Sequence, residues 1–384
     1  MIESRSANST QRRSSQTTTF ESLETRRMLS AKLAGTTLNV RGTGGDDNVV
    51  ITRVGPRIVV DRNGVREGSF LMSKVERLSV ATGDGNDTID ARGRLPRMMV
   101  DSGNDEDSIS TSSGNDYVNA GAGNDRVVTR GGADVIDGGL GNDMLNGGTG
   151  LNTLDYSKRT AAVSVDLDNR SGGQAGETDV LDNFSVILGG AGNDTLAGSG
   201  RSINEIRGNA GNDRLVARGD LDELFGGAGN DALVDALGLT GLDGGDGIDT
   251  ADFSQVQRLD GIGVDLAEGY AVGLTSREDP DQLADIENVI GTRQGDILLG
   301  NEQANRLDGA GGPDRIVGKG GIDILIGGDG DDYLEDRDGN VDQMTGGAGN
   351  DYAAPDLISF PFGTSSKDTL VDVIEKVGEP KPIM

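Results

Sequence analysis

The 384-residue sequence contains no cysteine, no histidine and no tryptophan. Without cysteine the chain has no disulfides and no thiolate chemistry, and its redox compartment is left open. Without histidine it lacks the commonest general base, the Ser/His/Asp and Cys/His arrangements, and histidine-ligated zinc. Aromatic residues make up 3% of the chain, so a thick globular core is not expected. No apolar run approaches the roughly 18 residues of a membrane-spanning helix, so no membrane insertion is expected. Positive charge is in deficit: 35 Lys and Arg against 64 Asp and Glu leave a net charge of −29. That balance argues against nucleic acid or an anionic membrane as partner. Its self-repulsion also disfavours a compact state without cations.

What the chain has in excess is glycine, 63 residues. The glycines do not fall at every third position, which excludes collagen. They come in groups nine residues apart, most clearly in Gly114–Asn146. There Asp116, Asp125, Asp134 and Asp143 recur every nine residues, and each is followed two residues later by Val118, Val127, Ile136 or Leu145. A disordered Gly/Asp-rich linker would not hold apolar residues in a fixed phase after the aspartates. The glycine-rich half reads as a turn, because glycine accepts positive φ. The other half reads as a very short strand with one side chain inward and its neighbours outward. Two nonapeptides then make one coil of a solenoid, and residues eighteen apart stack: Asp116 with Asp134, Asp125 with Asp143. Stacked carboxylates repel one another. A hard cation that takes about 6–8 oxygen ligands resolves the repulsion.

This G-G-x-G-x-D-x-apolar-x pattern resembles the calcium-binding nonapeptide repeat of the RTX family. The resemblance implies an all-β fold, a right-handed parallel β-roll with calcium between successive turns. Carried over position by position, the implied carboxylate ligands are Asp87, Asp107, Asp116, Asp125, Asp134, Asp143, Asp194, Asp213, Asp222, Asp231, Asp249, Asp296, Asp314, Asp323, Asp332 and Asp351. Backbone carbonyls of turn residues such as Gly121, Gly123, Gly139 and Gly141 would complete the shells.

Three arrays are expected, at 82–157, 189–254 and 291–352. Their copies are uneven. Pro96 stands where an aspartate would fall, and Asp105 and Asp107 compete for one position. Asn152 replaces Asp, Asn204 lies ten residues after Asp194, Thr240 has no carboxylate, Asn305 is an amide, and Pro313 replaces the usual Asn before Asp314. The stretch 336–344 is one residue too long and is expected to bulge. Tight sites are expected at Asp116/Asp134 and Asp125/Asp143, and weak or empty ones near Asp105, Asn152, Thr240 and Pro313. Two inserts, 158–188 and 255–290, separate the arrays. Val165–Leu167 matches Val264–Leu266, and both inserts follow the same exit, Leu154–Ser157 and Ala251–Ser254.

Residues 32–81 alternate like strands and read as an N-terminal cap over the open end of the solenoid; a separate small β-domain is the alternative. Asn63–Gly64 suits a type I′ hairpin turn. Residues 1–31 are Ser/Thr/Arg-rich and lack the apolar centre of a secretory signal peptide. Part of them, Phe20–Ala31, partly resembles the LEPR-XLL motif of exported bacterial proteins, with Thr25 in place of proline. The resemblance implies targeting; a disordered basic tail is the other reading. Residues 353–384 leave the repeat, as a C-terminal cap or as a segment that includes the type I secretion signal the RTX resemblance implies.

The RTX family includes proteases, lipases and uronan epimerases whose repeats are appended to a catalytic domain. Here repeats, inserts and caps account for nearly the whole chain, so no enzyme, no catalytic residue and no cofactor other than calcium is expected. The expected function is a secreted or cell-surface calcium-binding structural protein that folds when calcium binds. The alternatives are a rod that binds a surface polysaccharide or protein partner, and the calcium-binding module of a secreted enzyme. The outward positions Tyr117, Arg126, Val135, Met144, Thr195 and Arg214 vary too widely to mark a flat binding face.

Overall fold

The computed structural model describes residues 31–219, 221–235, 240–256, 260–275, 280–354, 357–360, 363–366 and 369–371. The segment resembling the LEPR-XLL motif, up to residue 30, lies outside them, as does 372–384. The chain is an all-β parallel solenoid of about 14 turns. Among the described residues the one helical element is the 3-10 turn Met72–Lys74. Among the described residues no helix is long and apolar enough to cross a membrane.

Successive three-residue strands alternate between two facing sheets. On the first, Tyr117–Asn119, Val135–Asp137 and Thr153–Asp155 pair in parallel, with Val118 beside Ile136 and Ile136 beside Leu154. On the second, Ser108–Ser110, Arg126–Val128 and Met144–Asn146 do the same, with Ile109, Val127 and Leu145 aligned. Partners are eighteen residues apart, so one coil is two nonapeptides. The strands are this short because only the middle side chain of each can point between the sheets. Val118, Val127, Ile136, Leu145 and Leu154 are at most 1% exposed, whereas Met144 is 50% exposed. The core is thus a double row of aliphatic side chains, each worth about 1.5–3 kcal/mol on burial.

The turns need glycine for two reasons that Gly139 shows together. Its φ is +84°, and a Cβ there would run into the carbonyl oxygen of Gly121, one coil below. Any side chain would pay both the left-handed conformation and the clash.

The N-terminal segment closes one end of both sheets. Ala31–Ala34 and Thr37–Arg41 form a hairpin on the first sheet, and Thr37–Arg41 pairs in parallel with Arg77–Asp84. On the second sheet Asn48–Val54 is followed by two antiparallel strands, Arg57–Arg62 and Val65–Leu71. The last two are joined at Asn63 and Gly64, whose φ values are +51° and +75°. Both are positive, as a type I′ turn requires.

The two inserts are built alike but lie on opposite sheets. In the first, Asp179–Asp182, Ser171–Gly172 and Ser164–Asp166 form an antiparallel meander between Met144–Asn146 and Thr195–Ala197 on the second sheet. In the second, Asp281–Ala284, Tyr270–Gly273 and Ile262–Asp265 fill the same role between Gly241–Asp246 and Ile297–Leu299 on the first sheet. The switch follows from alternation. An even number of strands separates the inserts, so the strand that opens the second one falls on the other face. Each meander widens its own sheet, and the two sheets are widened in turn. At the far end Thr369–Val371 pairs in parallel with Gln343–Thr345.

Candidate metal centre

Each turn presents its aspartate in the same way. The carboxylate folds back under the coil before it, and Oδ1 accepts the main-chain N–H of the residue one coil earlier. Asp116 N–H donates to Oδ1 of Asp134 at 2.8 Å, and Asp125 N–H to Oδ1 of Asp143 at 2.9 Å. Along the chain the ladder runs Asp47–Asp87–Asp107–Asp125–Asp143 on one edge. It continues before strands of the same sheet as Asp194–Asp213–Asp231–Asp249, and Asp296–Asp314–Asp332–Asp351 form the equivalent ladder before strands of the other sheet. Asp222 accepts from Asn204 N–H, and Asp323 from Asn305 N–H. All the predicted ligands therefore stand on these ladders, and all are at most 4% exposed. Between Asp105 and Asp107 the structure chooses Asp107, while Asp105 sits in the turn with φ +76°.

The second oxygen separates the positions into two kinds. At Asp87, Asp107, Asp116, Asp125, Asp134, Asp143, Asp213, Asp231, Asp249, Asp314, Asp323, Asp332 and Asp351 Oδ2 is buried without a hydrogen-bond donor. At Asp194, Asp222 and Asp296 the protein supplies one: Oδ2 accepts the N–H of Gly190, of Arg218 and Gly219, and of Thr292. Burial of an unpaired carboxylate oxygen is costly, so the first kind demands a positive charge or a proton.

The amide positions show what that oxygen faces. Asn152 accepts from Asp134 N–H through Oδ1 at 3.1 Å, in register with its neighbours. Its Nδ2 donates to the carbonyls of Gly150 and Asn183. Asn204 Nδ2 donates to Ser199 and Ser202 carbonyls, and Asn305 Nδ2 to that of Glu287. Where aspartate replaces asparagine an oxygen stands in the place of that donor. Oxygen then confronts oxygen, and a hard cation satisfies both at once.

Electrostatics agree with this. Burial, reinforced by neighbouring carboxylates, pushes Asp125 up to about 7 and Asp143 up to about 8. Burial likewise raises Asp116 to about 6, Asp213 to about 7 and Asp314 to about 8. Pro313 does not disturb its turn: Asp314 keeps both ladder bonds, at 2.7 and 2.8 Å.

Several ladder members escaped the nonapeptide reading. Asp179 takes the N–H of Asp143, Glu287 that of Asp249, Asp281 that of Thr240, and Asp342 that of Asp323. Each lies two residues before an inward side chain or its equivalent: Leu181, Val289, Leu283, Met344. That spacing was present in the sequence without the glycines. At Thr240 the missing carboxylate is supplied from five residues upstream, where Asp235 accepts the Thr240 hydroxyl at 3.1 Å.

A parallel solenoid with stacked oxygen sites is a calcium-binding repeat architecture. The particular repeat is identified by comparison. The family model of the RTX calcium-binding nonapeptide repeat (4 copies) matches residues 101–136, 123–154, 184–200, 199–233, 284–316, 308–340 and 317–353. The chain carries RTX calcium-binding nonapeptide repeats, in several copies spread across 101–353. No curated protein matches it. The stretches without a match include the two meanders and the N-terminal hairpins.

Proposed function

We propose that this protein is a structural rod set by calcium outside the cytosol. The observation that carries the reading is the series of buried Oδ2 atoms without a donor, at positions where Asn152, Asn204 and Asn305 instead give N–H groups to main-chain carbonyls. Calcium would be held by the thirteen-position series from Asp87 to Asp351 whose Oδ2 lacks a donor. It would supply the positive charge that those oxygens lack. The residues themselves do the positioning: each main-chain N–H fixes the carboxylate of the next coil, so the site exists only when coils stack.

Folding and binding are then one process. Calcium binds the stacked state and not the expanded chain, so its binding free energy adds to stability. The thin core alone must offset the ordering entropy of many glycines. Where calcium is scarce the chain stays expanded and able to be exported; where calcium is millimolar it sets. This favours a secreted or cell-surface location. A structural rather than catalytic role is favoured by the absence of histidine and cysteine and by the use of the periodic carboxylates in the ladder.

Sedimentation velocity on the full chain tests the reading. The frictional ratio should fall sharply on going from EGTA to millimolar calcium, and magnesium at the same concentration should not reproduce the change. An identical sedimentation profile in EGTA and in calcium would count against it.

A further inference from the structure

One place in the third array departs from the repeat in a way that adds chemistry. The residue that opens each nonapeptide stacks on its counterpart one coil below. Gly300 and Gly318 occupy this column: their N–H groups donate to the carbonyls of Val317 and Glu335 at 2.8 and 3.1 Å. The next member of the column is Asp336. It is 1% exposed, and neither of its carboxylate oxygens has a hydrogen-bond partner. Its side chain lies over Gly318, where a Cβ would meet Oδ2 of both Asp336 and Asp323. Asp342 closes the group, its Oδ1 accepting the N–H of Asp323 at 2.9 Å. One oxygen from each of the three carboxylates falls within 4.8 Å of the others.

The turn after Asp336 carries one extra residue, so Asp323 and its ladder partner Asp342 are nineteen residues apart instead of eighteen. Asp336 stands in register with Gly300 and Gly318, and the ladder beside it is kept. Among the described residues no lysine or arginine forms an ion pair with Asp323 or Asp336. Asp323 and Asp336, buried side by side, would without a cation be held together against their own repulsion.

We propose that Asp323, Asp336 and Asp342 form a distinct calcium site that binds more tightly than the repeat positions. The proposal rests on the calcium reading of the repeats and goes beyond it by naming a three-carboxylate site that the nonapeptide pattern does not contain. Ligand charge count raises affinity for a divalent cation, and a buried oxygen cage favours calcium over magnesium, which keeps several of its waters. The third array would thereby retain one ion under conditions that strip the others, and would be the first part of the rod to set.

The test is calcium and terbium binding to the full chain, followed by equilibrium dialysis and competition with a graded series of chelators. The wild type should show a single ion held about tenfold or more tightly than the rest, in line with its added ligand charge. Asp336→Gly installs the residue found at Gly300 and Gly318 and should bring that ion down to the affinity of the repeat positions, with the other sites and the calcium-loaded circular dichroism unchanged. Asp336→Asn, which keeps the shape and removes the charge, should weaken the same ion alone. A wild type that folds with calcium but has no tight ion, or an Asp336→Gly chain with an unchanged isotherm, overturns the proposal and leaves the general reading standing. Failure of the wild type to bind calcium at all would overturn both.

Discussion

The phenol of Tyr156 donates to Oδ2 of Asp179 at 2.5 Å. Asp179 also carries the ladder bond from Asp143, so this buried carboxylate has both oxygens satisfied without a metal. Beside it Arg159, 7% exposed, donates to the carbonyl of Gly139 and lies 3.4 Å from Glu177. A side-chain cation thus reaches one of the turn carbonyls that the nonapeptide pattern assigns to calcium. In the second insert Phe253 stands where Tyr156 does, and Val256 where Arg159 does. At that position the first junction has a positive charge and its counterpart an apolar side chain.

Removal of that charge should therefore be felt even in saturating calcium. Arg159→Met leaves Glu177 and Asp179 without the guanidinium, a loss of about 3 kcal/mol for a buried ion pair. Amide hydrogen exchange should report it locally, with Val180 and Asp143 exchanging roughly a hundredfold faster or more. Unchanged protection at both amides would show that the arginine is dispensable.

An amide-to-acid change tests the logic of the sites in the opposite direction. Asn152→Asp removes the N–H groups that hold the Gly150 and Asn183 carbonyls. Without calcium the variant should be less stable by about 1–3 kcal/mol, the cost of unsatisfied buried acceptors. With calcium it should bind one more ion than the wild type, counted by equilibrium dialysis. An unchanged count would argue against a calcium position at each stacked carboxylate.

The dependence on pH in EGTA has a definite sign. Burial holds Asp116, Asp125 and Asp143 at about 6, 7 and 8 when folded, against 3.8 for an unperturbed aspartate. The folded state thus binds more protons between those limits, so stability falls as pH rises through the window. Calcium-free protein should show more β structure at pH 5 than at pH 8, and calcium should abolish the difference. Circular dichroism against pH checks this; greater structure at pH 8 in EGTA would contradict the assigned environments.

The core is expected to respond residue by residue, as in other solenoids with nearest-neighbour contacts. Leu145→Ala, at a fully buried inward position, should cost about 2–5 kcal/mol in calcium. Met144→Ala, one residue away and half exposed, should stay within about 0.5 kcal/mol. Chemical denaturation of the two variants distinguishes them, and similar losses would contradict the two-sheet geometry.

Much of this architecture is legible in the sequence because the repeat is a local rule. The step of nine from Asp116 to Asp143 determines the coil, the stacking and the inward row together. What was hidden depends on spacing without glycine or on contacts across the chain. Asp342 and Asp336 are obscured by one added residue. Asp179, Asp281 and Glu287 keep the two-residue offset to an inward side chain but lose the turn before it. Arg159 reaches Gly139, twenty residues away, from the turn that follows Thr153–Asp155, a contact no local spacing announces. Pro313 seemed to threaten its turn and does not, because the ladder there uses the N–H of Asp314 rather than that of the residue before it.

The central claim is that stacked carboxylates hold this chain open until calcium closes it. Far-ultraviolet circular dichroism of the full chain at neutral pH, titrated from EGTA to millimolar calcium, tests it most directly. The account predicts a weakly structured chain in EGTA and a cooperative gain of β signal as calcium is added. The same β content at both ends of the titration would contradict it.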